Sequence, residues 1–196
     1  MIKKILRKSI NKVRVYRHRR YVFNAIKGGL SLGKNVTIMS DVRFDPPHNA
    51  LIQIGDNTTI CPEVAFVAHD ASIFKPLNHS RLGCIKIKEN CFIGERALIL
   101  PGVTIGPNVI IGAGAVVSCD IPGNSVATGN PAKVIKTYDE YLLKHEHQIK
   151  GNLVIEYQDF YANIITKLDT MSSMQSKMFY TTNQTKSLRS IFRFNI

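Results

Sequence analysis

The sequence predicts an all-β solenoid whose short strands wind three to a coil around one apolar axis. Three observations carry that reading. Large apolar residues recur every six positions, at Ile87, Ile93, Ile99, Ile105, Ile111 and Val117, and the residue two before each is apolar or small (Ile85, Cys91, Ala97, Val103, Val109, Ala115). The same phase recurs upstream, as Ile54, Ile60 and Phe66 and again as Leu32, Ile38 and Phe44. The pattern restarts at polar corners such as Gly33-Lys34-Asn35, Gly55-Asp56-Asn57 and Gly106-Pro107-Asn108. A period of six excludes an amphipathic helix, which needs 3.6. Two inward side chains per six residues, and three faces per coil of ~18 residues, give coils stacked at roughly 4.8 Å around a continuous core.

The elements follow in chain order. Residues 1–28 form a basic arm with a helical pattern, in which Ile2, Ile5, Leu6, Ile10, Val13 and Val15 alternate with cations. Residues 29–136 are the solenoid. Its register breaks twice. Four extra residues fall between Phe44 and Ile54, in DPPHNALIQ, and about three extra are expected to bulge within His69–Lys86. Loops of this kind carry function in repeat proteins. The repeat is expected to end near Asp120–Asn124. Residues 137–196 form an extension, with a short helix at YDEYLLKHEHQ, a second helix from Leu153 to Leu168, and a loosely ordered tail from Thr170.

Composition narrows the function classes. The chain has 196 residues, 44% hydrophobic and 20% charged, which is globular and long enough for one core with appendages. No run approaches the ~18–20 apolar residues of a membrane-spanning helix. The basic N-terminus lacks the apolar core of a secretory signal, so a cytoplasmic location is expected, with peripheral contact to the inner membrane face as an option. The net charge of +12 is concentrated: residues 1–40 hold eleven Lys or Arg and no acid, and the remainder is nearly neutral. Four cysteines (Cys61, Cys84, Cys91, Cys119) show no zinc-like spacing and read as buried reduced thiols.

The stretch CFIGERALILPGVTIGPNVIIGAGAVVSCDIPGNSVATGNPAKVIK, Cys91–Lys136, resembles the C-terminal coils of hexapeptide-repeat acyltransferases. It is most similar to the branch of maltose and galactoside acetyltransferases and surface-polysaccharide O-acetyltransferases. The resemblance spans roughly residues 30–136. It implies a left-handed parallel β-helix, a hand that the period alone does not give, since crossovers are normally right-handed. It also implies a homotrimer with acetyl-coenzyme A in clefts between neighbouring prisms, no metal, and a sugar or glycan hydroxyl as acceptor.

Site residues carry over one at a time. The resemblance makes His69, in FVAHDAS, the catalytic base. A neutral imidazole, with an ordinary pKa of ~6.5, suits proton removal from a hydroxyl attacking a thioester, a role worth ~10²–10⁴ in rate. Asp70 is a candidate to orient that ring. Phe92 stands where relatives have Trp; Ala113 and Ser118 match positions along the pantetheine arm and adenine end; Lys133 and Lys136 match residues that meet coenzyme phosphates. Glu95 replaces a small polar residue, and Asn130 and Pro131 fix the chain's exit from the last coil. The loop Asp45-Pro46-Pro47-His48-Asn49 does not match the Asn/Asp-rich sugar grip of the maltose and galactoside enzymes, and His48 and His79 read as loop residues, with acceptor binding as the alternative.

Other readings were weighed against this one. A γ-type carbonic anhydrase needs a closely spaced H-x4-H pair, which is absent from the sequence. A non-catalytic β-helix scaffold would lack a use for His69. Nucleic-acid binding finds no reading motif in the basic arm, although Tyr16, Tyr21 and Phe23 lie there. The arm's charge fits an anionic glycan or membrane surface instead. Antibiotic or serine-like hydroxyls remain alternative acceptors.

Overall fold

A computed structural model describes residues 16–151, 154–156 and 179–181. It separates into two compact units, 1–138 with 194–196, and 139–193.

The first unit opens with a helix over residues 16–27, α1. Its C-terminus closes through Gly28 N–H to Asn24 O and Gly29 N–H to Ile26 O, with Gly29 at φ +99°. The coils follow as short strands: β1 Ser31–Leu32, β2 Thr37–Ile38, β3 Ile52–Ile54, β4 Thr59–Ile60, β5 Ala65–Phe66, then β8 Ile85–Ile87, β9 Phe92–Ile93, β10 Leu98–Ile99, β11 Thr104–Ile105, β12 Val109–Ile111, β13 Val116–Val117 and β14 Ser125–Thr128. They stack into three parallel ladders, in the orders β1-β3-β8-β11, β5-β10-β13 and β2-β4-β9-β12-β14. This is the three-faced solenoid that the period of six predicts.

The periodic residues form the axis. Ile38, Ile60, Ile93, Ile99, Ile105, Ile111 and Val117 are all 1% exposed or less. Each fully buried side chain of this kind contributes about 1.5–3 kcal/mol. Register between coils is regular where the chain is regular: Ile87 pairs with Ile105, Ile93 with Ile111 and Ile99 with Val117, each 18 positions on.

The two breaks are resolved as insertions at corners. Leu32 pairs with Ile54 and Ile38 with Ile60, each 22 positions on; the four extra residues are taken up in a 3-10 helix at Pro46–Leu51. The second break is larger than expected. Ile54 pairs with Ile87 and Phe66 with Ile99, each 33 positions on, so this coil carries fifteen extra residues rather than three. They leave the prism as an arm: β6 (His69–Asp70) and β7 (Arg81–Leu82) pair antiparallel around a short helix, α2 (Phe74–Leu77). A phase count in steps of six cannot distinguish three extra residues from fifteen, because the two differ by two whole hexapeptides.

The repeat also runs one rung past its expected end. Ser125–Thr128 continues its ladder in parallel with β12, and β15 (Lys133–Thr137) then turns back antiparallel to close it. The Asn130–Pro131 bond in that turn is cis. The cysteines divide: Cys61 and Cys91 are buried as expected, but Cys84 and Cys119 are exposed. Burial pushes the Cys61 and Cys91 thiols up to about 11, which keeps them protonated and unreactive.

The second unit contributes α3 (Tyr138–Gly151), covering the helix expected at YDEYLLKHEHQ, and a parallel pair, β16 (Val154–Glu156) with β17 (Phe179–Thr181). Residues 154–156 are therefore strand, not the start of a helix. The rest of the Leu153–Leu168 segment, most of the tail and the first 15 residues lie outside the described residues. No described helix is long and apolar enough to cross a membrane.

Candidate active site

The site grows from an aromatic stack inside the lowest coils. Arg43 bridges in parallel to Ala65, and Phe44 therefore lies over Phe66, with ring centroids 5.4 Å apart. Tyr21 of α1 stacks on the other side of Phe44 at 6.1 Å, and its hydroxyl accepts the Phe44 N–H at 2.7 Å. The next residue, Asp45, is extended, as a residue before proline prefers. Pro46 and Pro47 begin the 3-10 helix, where a missing N–H costs nothing. The Asp45 side chain caps nothing in that helix and turns toward β6 instead.

There it meets two histidines. Asp45 Oδ2 accepts the Ala68 N–H at 2.9 Å and lies 2.6 Å from His69 Nδ1. Asp45 Oδ1 lies 3.2 Å from His48 Nδ1, one turn further along the 3-10 helix. The two imidazole rings are 4.8 Å apart, centroid to centroid, and tilted by 37°. Asp45 is 6% exposed while His69 is 40% exposed, so a buried carboxylate holds a ring that reaches solvent. Burial works to raise the Asp45 pKa, but hydrogen bonds from His69, His48 and the Ala68 amide outweigh it and hold the carboxyl below its ordinary 3.8.

An ionised carboxylate only accepts, so each Nδ1 must carry the proton it donates. That fixes the tautomer of both neutral rings and leaves the lone pair on each Nε2. The cluster can remove a proton from a ligand held at His69. Its carboxylate and two ring nitrogens also lie within 4.8 Å of one another, a spacing that could hold a divalent cation.

Asp70 does not orient His69. Its Oδ1 accepts the Ser72 N–H at 2.9 Å, and its Oδ2 faces Arg81 Nε at 3.9 Å, because successive strand residues point to opposite sides. His79 is exposed in the arm and hydrogen-bonds the Leu77 carbonyl, away from the Asp45 cluster. The coenzyme positions fall on two faces. Ser118 follows β13, two rungs above the end of β5 in the ladder from which His69 departs, a rise of roughly 10 Å. Phe92, 44% exposed, and Lys133 and Lys136 belong to the neighbouring β9-β12-β14-β15 ladder, and Ala113 is exposed at the corner between.

Residues 84–119 match the family described as bacterial transferase hexapeptide, six repeats. That segment is built of hexapeptide repeats.

The comparisons extend beyond the repeat. The chain is 44% identical over 90 residues to a Schizosaccharomyces pombe protein assigned as an acetyltransferase, covering 44% of each chain. It is 37% identical over 109 residues to the galactoside O-acetyltransferase of Escherichia coli, covering 54% of this chain and 50% of the relative. Its matches thus span half or less of the length of the curated relatives. A solved hexapeptide-repeat acetyltransferase from Vibrio cholerae shares the fold, with TM-score 0.52, 20% identity, 69% of this chain and 92% of the other.

Two residues escaped the sequence reading. Asp45 and His48 stand 24 and 21 positions before His69, and the pairing of Arg43 with Ala65 between coils brings them together.

Proposed function

We propose that this protein is an acetyl-coenzyme A-dependent O-acetyltransferase acting on a hydroxyl of a sugar or surface glycan in the cytoplasm, where acetyl-coenzyme A is made. The observation that carries the reading is the 2.6 Å contact between Asp45 and His69 Nδ1, which leaves the partly exposed ring's other nitrogen free to act as base. The relative named galactoside O-acetyltransferase supports the reaction class and the acceptor class.

In this mechanism His69 Nε2 takes the acceptor hydroxyl proton as the oxygen attacks the thioester carbonyl. The new C–O bond forms, the C–S bond breaks, and the thiolate leaves with the proton returned by the His69 imidazolium. Asp45 stabilises that imidazolium and keeps its orientation, acting through His69 as a positioning residue. Phe92, Ala113, Ser118, Lys133 and Lys136 hold the coenzyme, with the lysines meeting phosphates. His69 and Ser118 lie on one face of the prism, while Phe92, Lys133 and Lys136 lie on the next. One coenzyme touching both sets fits a cleft between two copies of a left-handed prism, which supports the homotrimer. The chemistry uses no metal.

The test is transfer of labelled acetyl from acetyl-coenzyme A to a panel of glycosides and glycans by wild type and His69→Ala. Turnover should fall by ~10²-fold or more in the variant while coenzyme affinity holds. Wild-type turnover in the variant would remove His69 from the reaction.

A further inference from the structure

We propose that the outer face of α1 docks the protein on an anionic lipid surface. This inference does not rest on the acetyltransferase reading. The helix over residues 16–27 has two faces of opposite character. Its inner face is fixed to the coils: Val22 and Ala25 are 0% and 3% exposed, His18 Nε2 lies 3.1 Å from the Ile38 carbonyl, and Tyr21 is tied to Phe44. The outer face therefore cannot roll inward to hide its side chains.

That outer face carries Tyr16, Arg20, Phe23 and Lys27 at steps of four, three and four, which places them in one stripe, with Arg19 beside them. Tyr16 is 64% exposed and Phe23 54% exposed. Lys27 Nζ sits 4.9 Å from the Phe23 ring centroid. Four cations and no acid occur in this helix, and the preceding 15 residues add six more cations, again without an acid.

Rings interleaved with cations match the two layers of a lipid interface. Tyr and Phe settle at the headgroup boundary, while Arg and Lys stems lie along apolar surface with their charges at lipid phosphates. A soluble polyanion would engage the cations and leave both rings in water. Base stacking needs an open ring face, and Lys27 already occupies one face of Phe23.

The experiment sediments the full chain with vesicles of phosphatidylcholine alone, or with about 30% phosphatidylglycerol, at ~0.1 and ~0.5 M salt. Binding should require the anionic lipid and weaken at high salt. Arg19→Glu with Arg20→Glu should weaken it at least tenfold, and Tyr16→Ser with Phe23→Ser should do so independently. Anionic-vesicle binding that survives the aromatic substitutions would overturn the proposal in favour of a charge-only contact. So would equal binding to neutral vesicles, competition by single-stranded RNA that spares the aromatic variant, or a change in oligomeric mass when the stripe is altered, which would place it between copies.

Discussion

Asp45 is buried yet ionised, and an ionised carboxylate between two imidazoles imposes one proton arrangement on both. Asparagine at that position keeps the shape, and the Ala68 N–H holds its oxygen toward His69, but its amide hydrogens face His48 and the negative charge that stabilises the His69 imidazolium is gone. Asp45→Asn should therefore lower kcat by ~10²-fold or more with KM for acetyl-coenzyme A nearly unchanged. A kcat within threefold of wild type would separate Asp45 from the chemistry. The same carboxylate carries a pH signature. Its folded pKa lies below the ordinary 3.8, so its stabilising contribution is complete above that value and is lost as pH falls through the lower folded value. Wild type should lose urea resistance on acidification below pH 3.8 more steeply than Asp45→Asn, so that the two converge at low pH. Because Nδ1 of each histidine already donates to Asp45, transfer should also survive dialysis against EDTA. Abolition by EDTA, with rescue by a divalent cation, would make the trio a metal centre. His69 was legible in the sequence because its motif resembles a known one. Asp45 was not, because its partner is set by a bridge between coils, and the loop that holds it departs from the family's sugar-binding segment.

At the scale of elements, the corners hold the coils in register. Asn35, Asn57, Asn90, Asn108 and Asn124 all adopt φ between 55° and 58°, and the side-chain amide of each of the first four donates to the next asparagine oxygen up the stack at 2.8–3.3 Å. Asparagine tolerates this left-handed backbone and supplies the ladder, so a corner asks two things of one residue. Asn90→Ala loses both, and should cost about 1–2 kcal/mol in denaturant unfolding; Asn90→Gly keeps the backbone freedom and should cost less. Equal costs would show that the ladder alone matters. Along the axis the stakes are larger. Ile99→Ala removes a side chain that is 0% exposed and should cost about 2–5 kcal/mol. Strands and corners were legible because one inward residue and one corner residue repeat every six positions. The arm was not, since Ala71–Ser80 carries no repeat phase, and its antiparallel pairing of His69 with Leu82 follows from closure of the hairpin.

For the whole molecule, a stack of coils leaves a raw edge at each end, a hazard for strand-to-strand aggregation. Here α1 packs into the first coils, and the antiparallel β15 lies across the last rung. If the proposed trimer forms, light scattering should report three times the monomer mass. A stable, active monomer would leave the cleft between copies without a role. The 18-residue spacing between coils has one more consequence. Each coil adds one fixed increment of height, roughly 4.8 Å, and nothing smaller is available. Within one ladder, as from the end of β5 to Ser118 after β13, the span is therefore a whole number of steps. Each ladder is a ruler cut in units of one strand, and if the proposed coenzyme lies along it, the length of arm it accepts is set by how many coils the chain winds.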